Sequence, residues 1–525
     1  MALNILNKIL IANRGEIAAR IARTLHALGK TSVGLAARSD RAAYHSKSVD
    51  EFHWVDEEVP SQAFLNPETI IAAAKKTGAD AVHPGYGFLS ESPILAEACN
   101  RAGIVFIGPS KEALVLFGDK AATKERAHSL GLPVVSTTTL NMKDEDASQT
   151  IIHLQQEGAF PLLVKARAGG GGRGMRLVSR AELLTSECES ASREAEKFFG
   201  DGTLLIEPYL ECIKHIEIQI VGDSTGKVAH LFERECSAQR SYQKILEEAP
   251  SCGISVELKE RLYKDAITLC EGVPYQGLAT VEFLVTPDEQ HYFTEVNPRL
   301  QVEHPVTEEI LGIDLVALQL HVAENRALDD FLPELSGLSP KGHAIQARIN
   351  AESSYDFSPD VGTLIAVDVP RQKDLRIESV ISARDEVTTD FDSLIMKLIR
   401  HGDTRAQVSR DLSEDLSNTN IIGVETNISF LRRVLEASEW SEATYTTTLT
   451  DALRRNQPSL REICTNHALG GFFSKLHPGE KLALAEVGVN APLTSWDTFD
   501  SFRVAGREQH IICAQSKGEE LKFLL

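Results

Sequence analysis

Residues 160–179 read FPLLVKARAGGGGRGMRLVS, two strand-like runs joined by a loop with four consecutive glycines. A dinucleotide-binding turn must lead from a strand into the N-terminus of a helix. Here MRLVS (175–179) continues as a strand instead. A Walker A loop is excluded too, because no G-K-[ST] closes the run. A flexible linker would hardly sit inside a tight strand–loop–strand unit. What remains is a hairpin loop whose bare N–H groups can approach phosphate oxygens. Lys165, at the end of the incoming strand, adds a point charge beside them. A glycine-rich turn with no ligand has the same composition, so the choice rests on a second stretch.

That stretch is TEVNPRLQVEHPVTE (294–308). Glu295, Asn297, Arg299, Gln301 and Glu303 occupy alternating positions and face one way if the chain is extended. Pro298 and Pro305 argue against a central paired strand, so the later part reads as an edge or loop. In ATVEFLV (279–285), a hairpin centred between Asp288 and Glu289, with PDEQ as its turn, puts Glu282 directly opposite Glu295. Two carboxylates and the Asn297 amide oxygen converging there suit Mg²⁺, which takes hard oxygen ligands and keeps waters and phosphates for the rest.

The surrounding chain is a soluble, multidomain one. Its 525 residues imply roughly three or four domains. The formal charge of −21 argues against wholesale binding to nucleic acid or an anionic membrane. No signal-peptide pattern and no apolar run long enough to span a bilayer is found. The eight cysteines form no C-x-x-C pair and no zinc-spaced cluster. These features predict a cytoplasmic protein. KILIAN (8–13), GEIAARIARTLHALGK (15–30), TSVGLAA and GIVFIGPS give the strand–helix rhythm of a parallel sheet over residues 1–118. A smaller unit, 119–207, carries the glycine loop. Strands HIEIQIVGD, ATVEFLV and HYFTEVN interleave with helical patterns in 208–450, and 451–525 is less regular.

Taken together, KILIANRGEIAARI (8–21), HPGYGFLSE (83–91), GDK (118–120), KARAGGGGRGM (165–175), ECSAQRSYQK (235–244), EEAPS (247–251), EVNPRLQVEHPVTE (295–308) and GHAIQARINAE (342–352) resemble biotin carboxylase, as found in the α subunit of biotin-dependent acyl-CoA carboxylases. The matches keep the family's order over about residues 5–450. The resemblance implies a multidomain α/β and α+β chain. Its parts would be a parallel-sheet pre-ATP-grasp domain, an ATP-grasp lid and core, and a biotin carboxylase C-terminal region.

It also implies roles. Lys120 and Lys165 would contact nucleotide phosphates, with Gly170, Gly171 and Gly172 closing over them. Glu207 to Leu210 (EPYL) would read adenine through its backbone, with His215 near the ribose and Gln239 also on the ATP side. Glu282, Glu295 and Asn297 would hold Mg²⁺, or Mn²⁺ in its place. Lys244, Arg299, Gln301 and the Val302 backbone would form the bicarbonate pocket, since a small anion needs a fork of N–H donors plus a point charge. Glu303 would deprotonate bicarbonate for attack on the γ-phosphate of ATP. Arg348 would stabilise the biotin enolate. The family further implies a homodimer, a biotin carboxyl carrier and a carboxyltransferase subunit.

Departures from the family pattern are local. The family usually reads C-S-x-Q-R-R-[HN]-Q-K, and here Ser241 and Tyr242 replace the second Arg and the His or Asn, which predicts altered nucleotide affinity before lost chemistry. Arg167 stands where a small residue is preferred, and TYTTTL (444–449) is more polar than the usual ending. SWDTFDSFRV (495–504) weakly resembles W-x-x-x-D-G-F-R of acyl-CoA carboxylase α subunits. The A-M-K-M hairpin of a biotinyl domain is absent, and Met396–Lys397 reads as core. Biotin is therefore expected as a carrier-bound substrate on another chain, or on a part beyond a truncation. Two other readings fit parts of the pattern: another ATP-grasp carboxylate ligase, and a non-catalytic nucleotide-binding or scaffolding subunit of the same fold.

Overall fold

The computed structural model describes residues 3–40, 42–157, 160–167, 175–332 and 337–455, and two strand segments, 512–516 and 520–524. Gly170, Gly171, Gly172 and the SWDTFDSFRV stretch lie outside the described residues. Among the described residues no helix is long and apolar enough to cross a membrane.

The N-terminal part is a five-stranded parallel sheet of β1 (Lys8–Ile11), β2 (Thr31–Ala37), β3 (Glu51–Val55), β4 (Ala81–His83) and β5 (Val105–Phe106), ordered β3-β2-β1-β4-β5. β2 is buried at six of its seven positions, as expected for a parallel strand covered on both faces. Helix α1 (Gly15–Ala27) follows β1 and buries Ile17, Ala18, Ile21, Ala22 and Leu25, the helical stripe visible in the sequence. Strand order reverses between β1 and β4, the point at which open α/β sheets bind ligands. The loops after these two strands, ANR and PGYGFLSE, emerge there together. The Asn13 amide ties them by donating to the carbonyls of Pro84 and Tyr86, each at 2.7 Å. Gly85 has φ +63°, and a Cβ on it would lie 2.8 Å from Asn13 Nδ2, so only glycine fits.

The smaller unit is a four-stranded antiparallel sheet of β6 (Thr138–Leu140), β7 (Leu162–Ala166), β8 (Met175–Val178) and β9 (Leu204–Pro208), ordered β6-β9-β7-β8. β7 and β8 pair antiparallel with Lys165 opposite Met175, the hairpin that the glycine run requires. Leu140, Ile151, Leu162, Val164, Val178, Leu184, Leu204 and Ile206 form a separate apolar cluster here.

The largest sheet has eight antiparallel strands: β10 (Lys214–Gly222), β11 (Val228–Arg240), β12 (Gln243–Ala249), β13 (Gly277–Val285), β14 (His291–Asn297), β15 (His343–Asn350), and the strands Leu375–Ser379 and Leu394–Gly402. Their spatial order is β14-β13-β10-β11-β12-β15, then 394–402 and 375–379. β10 shows how its two faces differ. Ile216, Ile218 and Ile220 pack on helix Val256–Cys270, while Glu217 and Gln219 point the other way and are equally buried. Both meet Arg234 of β11, whose guanidinium reaches Glu217 Oε1 at 2.5 Å, Gln219 Oε1 at 2.8 Å, Thr307 Oγ1 at 2.9 Å and Thr280 Oγ1 at 3.0 Å.

Arg234 is fully buried. Removing Arg234 strips Glu217 Oε1 of its guanidinium and leaves this buried carboxylate to Lys244 alone; breaking a buried pair in this way costs up to about 3–5 kcal/mol. Arg234→Met is expected to lower stability by about that much in urea unfolding followed by circular dichroism, and Arg234→Met with Glu217→Leu is expected to recover part of it. A single variant with an unchanged midpoint would mean that water reaches Glu217.

Candidate active site

The site lies where the face of the large sheet carrying Glu217 meets the β1 and β4 loops. Register places carboxylates side by side across three strands: Glu217 pairs with Glu282, and Glu282 with Glu295. The Glu282–Glu295 pairing matches the sequence reading, but by another route. Phe283 pairs with Phe293, so the turn is centred on Asp288, and an irregularity at Glu282/Phe283 restores the register. Thr294 is the extra residue, and its hydroxyl donates to the Glu282 carbonyl at 2.9 Å.

The expectation that residues 295–303 line one face by simple extension holds only to Asn297, where β14 ends. Beyond it the chain turns, and Glu303 stands immediately before helix His304–Leu311. The side chains converge all the same, because Arg299 folds back: it donates to Gln301 Oε1 at 3.0 Å, to Asn297 Oδ1 at 3.2 Å and to Glu91 Oε1 at 2.6 Å. Glu91 comes from the β4 loop. The buried Gln301 Nε2 has no hydrogen-bond partner among the described residues and remains an available donor.

Lys244 is the centre of the cluster. Its Nζ lies 2.5 Å from Glu217, 3.0 Å from Glu282 and 2.6 Å from Glu303. Burial opposes the ammonium charge, but the three carboxylates prevail and hold Lys244 well above the ordinary lysine value. For Glu303 burial pushes upward, and Lys244, Arg348 and Arg234 outweigh it, keeping the carboxyl well below the usual range. Glu303 is 1 % exposed and ionised. Arg348 completes the group, with Nη2 at 3.1 Å from Glu303 Oε2 and Nε donating to Glu247.

On the lid side the lysines rest on carboxylates. Lys165 Nζ lies 2.6 Å from Glu207, which also accepts from Lys124, and Lys120 Nζ lies 2.8 Å from Glu295. The Glu207 side chain is thus an anchor for two lysines, while half-buried Leu210 lies just past the end of β9. His215 Nε2 is 3.0 Å from Glu282 Oε2, and its Nδ1 is 2.7 Å from Gln239 Nε2. This puts His215 beside a metal-ligand candidate. Ser241 and Tyr242, with φ of 47° and 65°, form the two-residue turn joining β11 to β12, and Tyr242 is half-exposed at its tip.

Glu282, Glu295 and Asn297 offer only oxygen donors. Asn297 Nδ2 donates to Glu282 Oε1 at 3.0 Å, and two ammonium groups already sit on the two carboxylates. This set fits a hard divalent cation. Sequence reasoning missed Glu217, Arg234, Glu247, Glu91 and Lys124. Glu217 carries a readable signal, since a polar residue at period two in HIEIQIV is a charged position on a central strand. Lys397 is fully buried and ion-paired to Glu16, which excludes Met396–Lys397 as an attachment site.

Three family models match in sequence: "Biotin carboxylase, N-terminal domain" over 5–114, "Carbamoyl-phosphate synthase L chain, ATP binding domain" over 119–331 and "Biotin carboxylase C-terminal domain" over 346–452. Biotin carboxylase 2 of Bacillus subtilis is 40% identical over 440 residues, covering 84% of this chain and 98% of its own. The α subunit of mitochondrial methylcrotonoyl-CoA carboxylase of Dictyostelium discoideum is 42% identical over 434 residues, 82% of this chain and 61% of that one. The biotin carboxylase domain dimer of Hydrogenobacter thermophilus 2-oxoglutarate carboxylase, solved with MgADP, ADP and bicarbonate, superposes with a TM-score of 0.81 at 37% identity, covering 86% of this chain and 98% of that one. Identity at this level over nearly the whole of a free-standing relative, together with a common fold, places the chain in the biotin carboxylase family.

Proposed function

We propose that this chain is a biotin carboxylase, an ATP-dependent ligase that uses bicarbonate to carboxylate biotin borne on a separate carrier. The observation that carries this reading is the contact of Glu303 with both Lys244 and Arg348, beside Arg299 and the Gln301 Nε2 donor that has no partner among the described residues. A planar anion in that space meets a point charge, a guanidinium fork and an amide donor. Bicarbonate bound there puts its hydroxyl within reach of Glu303, which takes the proton while the resulting oxyanion attacks the γ-phosphate of ATP. Glu282, Glu295 and Asn297 hold Mg²⁺, which supplies charge neutralisation for the phosphates. Lys120 and Lys165 exchange their carboxylate partners for those phosphates. Gly170, Gly171 and Gly172 are expected to offer backbone N–H donors to those phosphates, with the Glu207–Leu210 segment, His215 and Gln239 on the nucleoside side. Arg348, once free of Glu303, faces the biotin ureido oxygen as charge develops on it.

The expected assembly is a homodimer served by a biotin carboxyl carrier and a carboxyltransferase, in the cytoplasm. The non-catalytic alternative gains nothing from the site, where Lys244, Arg299, Glu303 and Arg348 are all ionically engaged with one another or with neighbouring carboxylates.

The reading is tested by ADP release from MgATP with bicarbonate and free biotin varied. Turnover is expected to require bicarbonate, to rise with biotin, and to fall by roughly 10²-fold or more in Glu303→Gln. Binding of ATP with no turnover, even with a biotinylated carrier, would favour the scaffold. Glu303 also gives a pH signature. Its folded-state pKa lies well below the ordinary glutamate value of about 4.5, so its ion pairs stabilise the fold fully above that value and are lost as pH falls through the lowered one. Glu303→Gln should therefore lower Tm at pH 7, with the gap to the parent closing as pH drops below 4.5. A gap that stays constant with pH would refute the ion-pair account. Tyr242→His is expected to lower the KM for ATP, and an unchanged KM would mark the turn as tolerant.

A further inference from the structure

Lys397 is a charged side chain with no exposure at all, on the strand Leu394–Gly402 and in register with Arg348 of β15. Its Nζ has two close partners. One is Glu16, at 3.1 Å, at the start of helix α1; the other is the Val302 carbonyl oxygen, 3.0 Å away. The Tyr86 ring centroid lies 5.9 Å from the same nitrogen, and the Tyr86 hydroxyl donates to Glu16. The ammonium therefore joins the start of helix α1, the β4 loop and the site turn at one point.

The position of Val302 makes this more than a core ion pair. Residues 298–303 lie between the end of β14 and helix His304–Leu311, where no strand ladder or helix fixes the peptides. The Val302 carbonyl belongs to the peptide leading into Glu303. A charge-assisted bond to it sets the plane of that peptide, and with it the direction from which the Glu303 carboxylate approaches Lys244 and Arg348. Glu16 could neutralise the ammonium without the carbonyl, so the third group is an added constraint rather than a requirement of burial.

We propose that Lys397 is a positioning residue for bicarbonate activation: held by Glu16, it locks the Val302–Glu303 peptide so that Gln301, the Val302 N–H and the Glu303 carboxylate converge on one bound anion. This rests on the reading of the site given under Proposed function. Lys397 touches no substrate and acts through the peptide. The effect should therefore appear in bicarbonate use and leave ATP binding alone.

The test is steady-state kinetics of the full chain with bicarbonate and ATP varied separately. Lys397→Met leaves Glu16 buried and unpaired, so Lys397→Met with Glu16→Gln provides a variant with no stranded charge, and circular dichroism confirms its fold. Both are expected to raise the KM for bicarbonate roughly 10- to 100-fold, the worth of one charge-assisted hydrogen bond, with the KM for ATP near the parent value. Glu16→Gln alone removes the carboxylate that holds the ammonium but leaves the bond to the carbonyl, so it should raise the bicarbonate KM by less than the double variant does. A folded double variant with unchanged bicarbonate KM, or with ATP and bicarbonate KM raised together, would overturn the positioning role. Absence of bicarbonate-dependent turnover in the parent would instead overturn the reaction itself, and the positioning role with it.

Discussion

Everything around the site depends on an ammonium buried among three carboxylates. Taking Lys244 out of water costs several kcal/mol, and each carboxylate it draws in costs as much again. Such a cluster survives only if charges and hydrogen bonds are satisfied outward from its centre. Arg234 holds the second oxygen of Glu217, Arg348 the second oxygen of Glu303, and Glu247 the far side of Arg348. Three cations thus face four carboxylates before Glu295 is counted. The surplus is negative on the side where Glu282 and Glu295 pair across β13 and β14, which is where a divalent cation gains most. The central strands are accordingly apolar on one face and fully buried yet charged on the other.

The parallel sheet contributes through its topology. Strand order reverses between β1 and β4, so the two following loops leave the sheet side by side and project into the same space. One leads into helix α1 and its Glu16, the other supplies Glu91 and Tyr86, and Asn13 and Gly85 hold the two together. Arg299 is gripped by Glu91 and the Val302 carbonyl by Lys397, so the irregular turn after β14 is fixed from both sides. The lid sheet has its own apolar cluster and brings Lys165 on β7. A unit that buries its own core can move relative to its neighbours at little cost, which is what the proposed role as a cover over nucleotide would need.

Much of this was legible in the sequence, and the exceptions have physical causes. The glycine hairpin, the helix after β1 and the strands HIEIQIVGD, ATVEFLV and HYFTEVN follow from periodicity, which reports local burial. The Glu282–Glu295 pairing was also legible, although the bulge that produces it was not, because a one-residue irregularity leaves no mark on the pattern. Glu217, Glu247 and Arg234 were missed because a charged residue on a strand ordinarily signals solvent. Only the fold reveals that both faces of β10 are covered. The grip of Lys397 on Val302 joins positions 95 residues apart and leaves no local trace.

The electrostatics of Glu303 pose a problem that the substrate itself resolves. A carboxylate held well below the usual range by Lys244 and Arg348 is reliably ionised but a poor proton acceptor. Bicarbonate binding changes that balance. In the site proposed above, the negative charge of bicarbonate would draw the Lys244 ammonium toward itself, and a cation diverted from Glu303 raises that residue's proton affinity. On that proposal, the basicity of Glu303 would rise as the anion binds. The three carboxylates around Lys244 serve the same end, since an ammonium shared among Glu217, Glu282 and Glu303 can turn toward a new anion without leaving any one of them unpaired. The network that makes the cluster tolerable in the fold is thus also what would let the proposed base respond to its own substrate.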